Sequence, residues 1–91
     1  MNYKIVSSGK FERDLKIAIK HGYDMMLLDE IVTMLAAGEP LPEKNRDHAL
    51  KGEYAGCREC HVTSDWILIY AIRNDMLELY LTRTGIHSDL F

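Results

Sequence analysis

Apolar residues recur at two different spacings along this chain, and the spacing changes near residue 54. Phe11, Leu15, Ala18 and Ile19 fall three or four residues apart, which lines one face of a helix over 9–20. Ser8 offers a side-chain acceptor to the free N–H groups of its first turn, and Gly22 ends it. NYKIVS at 2–7 reads as a short strand before that helix. Asp24 can start a second helix, to about residue 37, with Leu27, Leu28, Ile31, Met34 and Leu35 as a wide stripe. Gly38, Pro40 and Pro42 stop it. The short connection between the two helices predicts an αα-hairpin.

PLPEKNRDHALKGE, residues 40–53, holds no period and predicts a long surface loop. Loops of that length inside a compact domain are usually functional or disordered. Beyond it, residues 54–63, 66–73 and 76–83 read as strands, with Asn74 and Asp75 as a two-residue hairpin turn. Leu77, Leu79 and Leu81 form one apolar face of the last strand. The middle strand is apolar on both faces apart from Tyr70, the pattern of a central strand covered by helices. The order β-α-α-β-β-β predicts an α+β fold, a mainly antiparallel twisted sheet packed against the αα-hairpin.

Composition narrows this picture. A chain of 91 residues, 47% hydrophobic and 27% charged, without repeats or low-complexity segments, is expected to form one globular domain over 1–91. At that length it buries roughly 60 to 65% of its extended surface, which leaves little surplus stability and suits a constitutive partner. The net charge of -3 excludes a general attraction to nucleic acid, so such a role needs a local patch. The first helix supplies one: Lys10, Arg13 and Lys20 share roughly one face, with Lys16 beside them, at a spacing that can track a phosphate backbone. Lys51 and Arg58 add cations around the long loop, and these six residues are the candidate RNA contacts. A solvated helix face is the plain alternative. The N-terminus has no apolar leader, and no apolar run approaches the ~18 residues of a membrane span. A cytoplasmic chain with reduced thiols at Cys57 and Cys60 is expected.

CRECH, residues 57–61, has the C-x-x-C-H form of covalent haem attachment. On a strand, however, alternate side chains leave opposite faces, so Cys57 and Cys60 cannot grip one cofactor or one metal. A redox C-x-x-C also needs a helix N-terminus behind its first thiol, and none is predicted. No cofactor and no metal are therefore expected. The same alternation places Cys57, Glu59, His61 and Thr63 on a common face.

Candidate chemistry collects in the second half: His48 on the loop, His61 on a strand, Asp65 and Trp66 at the next turn, then Arg83, His87 and Phe91 in RTGIHSDLF. This is a proton-transfer set around an anion. Arginine supplies a permanent cation for phosphate, and each well-placed acid or base contributes roughly 10²- to 10⁴-fold. RNA cleavage by internal attack of the 2′-OH needs this inventory and no metal. Each residue also has a plain reading. His21 suits a helix C-terminus facing the dipole, His48 a surface loop, His61 strand packing, Asp65 a turn, and Trp66 the core. Arg83 and His87 could form a lone salt bridge across a turn at Thr84 and Gly85, and Phe91 could be a frayed end.

DHALKG at 47–52, CRECHVTSDWILIY at 57–70 and RTGIHSDLF at 83–91, at these spacings, resemble the YafQ branch of the RelE/ParE toxin superfamily. The resemblance runs through nearly the whole chain, including the basic first helix and the terminal phenylalanine. It implies a bacterial type II toxin, an mRNA interferase (endoribonuclease) that enters the ribosomal A site, cuts the message and inhibits translation. A cognate antitoxin would hold it inactive in an oligomeric complex, the free toxin being a monomer. The resemblance implies His87 as general acid for the 5′-oxygen, Asp65 or His48 as base on the 2′-OH, and Arg83 as stabiliser of the phosphorane-like transition state. His61 would complete the polar site, Phe91 would orient the message, and Trp66 would support Asp65 from the core. The chain departs from the family pattern at Cys57 and Glu59, where a tyrosine and an aspartate are usual. Two other functions fit the fold: an antitoxin-binding, operator-regulating partner with weak nuclease activity, and a gyrase poison of the ParE type, which leaves the histidines without a task.

Overall fold

The computed structural model describes residues 2–91, in which two helices cover one face of a five-stranded sheet. The elements are β1 (Lys4–Ser7), α1 (Gly9–Lys20), α2 (Met25–Ala36), β2 (His48–Ala49), β3 (Arg58–His61), β4 (Trp66–Arg73), β5 (Glu78–Ile86) and α3 (His87–Leu90). Strand order is β1-β5-β4-β3-β2; β1 runs parallel to β5 and every other pair is antiparallel. This is the expected α+β architecture, with two short elements, β2 and α3, added.

Ser8 joins local and long-range structure. Its hydroxyl oxygen accepts from the Phe11 N–H at 2.9 Å, capping α1, and donates to the Thr82 carbonyl at 2.7 Å, tying that helix to β5. Losing the cap alone costs about 1 kcal/mol. Asp24 caps α2 through the Met26 N–H at 3.0 Å. Gly22, at φ +77°, ends α1 in the left-handed region and keeps the connection short.

Phe11 and Ala18 of α1 and Leu28, Ile31 and Leu35 of α2 pack on Cys60, Trp66, Leu68, Tyr70, Leu79 and Leu81 of the sheet. On the opposite face Ile67 and Ile69 meet Leu90, with Leu50, Tyr54 and Cys57 around them. The middle strand is thus apolar on both faces, as its sequence predicts, but helices α1 and α2 cover only one. A loop and the C-terminal turn cover the other.

Buried polar groups under the helices are paired. The Trp66 indole N–H donates to Thr84 Oγ1 at 2.8 Å, and that hydroxyl donates to the Ile67 carbonyl at 2.8 Å. The Tyr70 hydroxyl and Arg58 Nε both donate to Asp47 Oδ1, at 2.6 and 3.2 Å, which pins the DHALKG loop to the sheet beside His48.

Several boundaries differ from expectation. The first strand begins at Lys4, not at residue 2. The strand expected over 54–63 contracts to Arg58–His61, because Gly52–Tyr54 closes a 3-10 turn in front of it. The hairpin has no two-residue turn: Arg73 pairs with Glu78, so residues 74–77 form the loop, and Leu77, at φ +51°, leaves the apolar face expected of it. Thr84 and Gly85 remain in β5, and the chain turns at Ile86 instead. No helix among the described residues is long and apolar enough to cross a membrane.

Candidate active site

Strand register places the site. His48 lies opposite Glu59, Glu59 opposite Ile69, and Ile69 opposite Arg83, a row across four strands; His61, Ile67 and Gly85 form the next. The two-residue period keeps Glu59 and His61 on one face, as read from the sequence, and the structure turns that face away from the helices. Glu59 is only 4% exposed. Its Oε1 lies 3.8 Å from His48 Nε2 and 3.6 Å from His61 Nε2. The Nδ1 atoms of both rings face backbone carbonyls, Arg46 at 2.7 Å and Ser64 at 3.2 Å. A carbonyl only accepts, so each ring carries a proton on Nδ1 and turns Nε2 the other way. Both Nε2 atoms therefore face one buried carboxylate.

Beside this pair, His61, Asp65 and His87 line an open groove of about 460 Å³ with Ile67, Ile86 and two serines. Asp65 is exposed at the turn between β3 and β4, and His87 is exposed at the start of α3. The His87 ring stacks on Phe91 at 4.4 Å and 21° between planes, and Phe91 meets Tyr54 edge-on at 5.4 Å. The terminal phenylalanine is therefore held, not frayed, while remaining 53% exposed to a ligand. Gly85 suits this closure: it sits at φ +156°, a backbone conformation that residues with side chains rarely adopt, directly beneath the Leu90 side chain. Leu90 folds down over the sheet above Gly85, and this brings His87 and Phe91 to the groove.

Arg83 is committed to a partner that sequence spacing does not reveal. Its Nε donates to Asp14 Oδ2 at 2.6 Å and Nη2 to Asp14 Oδ1 at 3.1 Å, while Nη1 points at the Tyr54 hydroxyl, 3.4 Å away. The hydrogen bonds to Asp14 raise the guanidinium pKa further above its ordinary value. The salt bridge of Arg83 is thus with α1 and not with His87. Arg58, a candidate RNA contact, is paired with Asp47 on the helix side of the sheet. Lys10, Arg13, Lys16, Lys20 and Lys51 are exposed. Cys60 is buried under the helices and Cys57 belongs to the other cluster, so the two thiols diverge as the alternation predicts. Burial pushes the Cys60 thiol up to about 12.

With this geometry in place, comparison with known proteins is decisive. The family model for YafQ, a bacterial toxin of type II toxin-antitoxin systems, matches residues 3–91. The chain belongs to the YafQ toxin family. It is 41% identical over 85 residues to the mRNA interferase toxin YafQ of Escherichia coli K12, covering 92% of this chain and 90% of that protein. A metal-bound toxin from Helicobacter pylori has the same fold, with a TM-score of 0.93 at 45% identity over 98% of this chain and 99% of its own. The E. coli DinJ-YafQ toxin-antitoxin complex matches with a TM-score of 0.90 at 39% identity, over 100% and 99%. Among the described residues no group of three or more His, Cys, Asp or Glu side chains is arranged as a metal-binding cluster.

Within this YafQ-family toxin the groove gathers His61, Asp65 and His87, and Glu59 brings His48 alongside. Arg83 joins through Tyr54 and Phe91, which bridge it to His87. Sequence reasoning gave no role to Glu59, Asp14, Asp47 or Tyr54. The signal for Glu59 was present, since alternation puts it on the His61 face. Asp14 carried none, being 69 residues from the arginine it binds.

Proposed function

We propose that this toxin is an mRNA interferase that cuts message in the ribosomal A site by acid–base chemistry of its own side chains, and that a cognate antitoxin binds and silences it. The observation carrying the reading is the convergence of His61, Asp65 and His87 on one groove, in a chain related to a named mRNA interferase. In the step proposed, a base removes the 2′-OH proton and the 2′-oxygen bonds to phosphorus. The bond from phosphorus to O5′ breaks, and protonated His87 gives its proton to O5′. The products are a 2′,3′-cyclic phosphate and a 5′-hydroxyl. Asp65, which shares the groove with His87, is favoured as the base over His48, whose Nε2 faces Glu59.

Arg83 meets charge developing on the phosphoryl oxygens through its Nη1 edge, and the free face of Phe91 stacks against a base of the message. The exposed cations Lys10, Arg13, Lys16, Lys20 and Lys51 hold ribosomal RNA. Arg58, paired with Asp47, takes a smaller part in that contact. Antitoxin binding follows the pattern of the E. coli DinJ-YafQ complex, with the free toxin a monomer.

The test adds wild-type and His87→Ala protein to translating ribosomes and maps message 5′ ends by primer extension. New ends phased to the A site with wild type, absent with the variant, are expected. Intact message from folded wild-type protein overturns the proposal.

A further inference from the structure

Asp14 is an outlier on its helix: an acidic residue directed inward from a segment whose outer side is basic. Both of its oxygens are occupied. Oδ2 accepts from Arg83 Nε at 2.6 Å and from the Thr84 backbone N–H at 3.2 Å, and Oδ1 accepts from Arg83 Nη2 at 3.1 Å. The backbone contact has a topological cause. Strand β1 pairs with β5 only as far as Leu81, so the N–H of Thr84 lies on an open strand edge and needs another acceptor. Asp14 fills that gap. Its carboxylate is held by the backbone next to the very arginine it grips.

We infer that Asp14 positions Arg83 for cleavage, an inference that rests on the proposed interferase reading. A bidentate pair fixes the plane of a guanidinium as well as its location. With Nε and Nη2 held, the free edge is Nη1, directed at Tyr54 and so toward the ring stack of Phe91 on His87. The two side chains of the pair are only 20% and 12% exposed, so solvent competes weakly for their hydrogen bonds. Asp14 touches no reacting atom. It acts by fixing the cation where phosphate charge develops, and supporting shells of this kind set the geometry that a reaction requires.

Two roles for this carboxylate make different predictions. A purely structural tether of α1 to β5 would weaken the fold whether or not Arg83 is present. A positioning role requires Arg83. Removing a negative charge beside the message should also leave ribosome binding unchanged or tighter, so turnover and half-saturation should separate.

The experiment measures single-turnover cleavage on programmed ribosomes for wild type, Asp14→Asn, Asp14→Glu, Arg83→Ala and the Asp14→Asn/Arg83→Ala double variant, each verified as folded by its amide NMR spectrum. Asp14→Asn is expected to cut roughly 10- to 100-fold more slowly at saturating ribosomes, with half-saturation no higher than wild type, and Asp14→Glu to fall between. In the Arg83→Ala background the Asp14 change should cost nothing further. An equal loss in both backgrounds, or a folded Asp14→Asn protein at wild-type speed, overturns the inference. The ¹⁵Nε–H signal of Arg83 supplies a readout independent of activity. Slowed guanidinium rotation in wild type that becomes free in Asp14→Asn is expected, and identical signals overturn the positioning role. If wild type leaves every message intact, the interferase reading fails, while the NMR comparison still decides whether Asp14 orients Arg83.

Discussion

Along β4, Trp66, Leu68 and Tyr70 enter one face of the sheet while Ile67 and Ile69 enter the other, and all five are buried. What covers them differs. Two helices with a broad apolar surface cover the first set; a loop, a one-turn helix and a few side chains cover the second. On the helix side the buried indole and hydroxyl groups are tied into short networks, Trp66 to Thr84 to a carbonyl and Tyr70 with Arg58 to Asp47. On the thin side the histidines keep accessible nitrogens, and a buried carboxylate faces two of them. A small domain has stability enough to cover one face fully. The face left thin is where proton-transfer groups can meet a large substrate.

That division of labour is tested most severely by paired substitutions. Leu68→Ala, on the helix side, should lose about 2–5 kcal/mol of stability, read from the urea midpoint. His87→Ala, on the thin side, should stay within about 0.5 kcal/mol of wild type while cleavage falls roughly 10²- to 10⁴-fold. A His87 variant as destabilised as Leu68→Ala would break the comparison. Thr84→Val sharpens it at the next level. It strands the buried Trp66 indole N–H and the Ile67 carbonyl contact, at a cost of about 1–3 kcal/mol. Trp66 fluorescence should report the change.

The sequence revealed the faces better than the elements that close them. Period-two alternation in CRECHVTSDWILIY separated Cys57 from Cys60 and aligned Glu59 with His61, because that period is a local property of any strand. β2 has two residues and α3 four, too few to leave a periodic trace, so both were missed. The hairpin failed for a similar reason. Asn74 and Asp75 carry ordinary turn chemistry, but Leu77 adopts a left-handed conformation that its side chain does not advertise. The pairs Asp14 with Arg83 and Asp47 with Tyr70 are made by tertiary closure and leave no spacing to read.

Outside both faces lies the helix α1 patch. Replacing Lys10, Arg13 and Lys20 by Ala removes three exposed cations without touching either core. Ribosome affinity should fall, and the slope of log affinity against log salt should flatten by about 2, with an unchanged urea midpoint. An unaltered slope would remove α1 from the contact and leave the thin face to bind message alone.

The finest test of the comparison uses the two thiols of one strand segment. Cys60 has no exposed surface, and its pKa is pushed up to about 12, first by burial and then by the charges of Asp47 and Glu59. Burial also raises Tyr70, and its hydrogen bond with Asp47 raises it further. Both groups are neutral when protonated, and folding favours that form. Their contribution is complete below the unfolded thiol value of about 8.5. It is then lost as pH rises toward 12, because the unfolded chain releases these protons first. The urea midpoint should therefore decline from pH 8 to pH 11, and Cys60→Ala should make that decline shallower. Iodoacetamide at pH 8 should modify Cys57, on the thin face, while Cys60 reacts only after unfolding. Equal labelling of the two in folded protein would mean that the helix-covered face opens as readily as the other, and the contrast between them would fail at its best-buried residue.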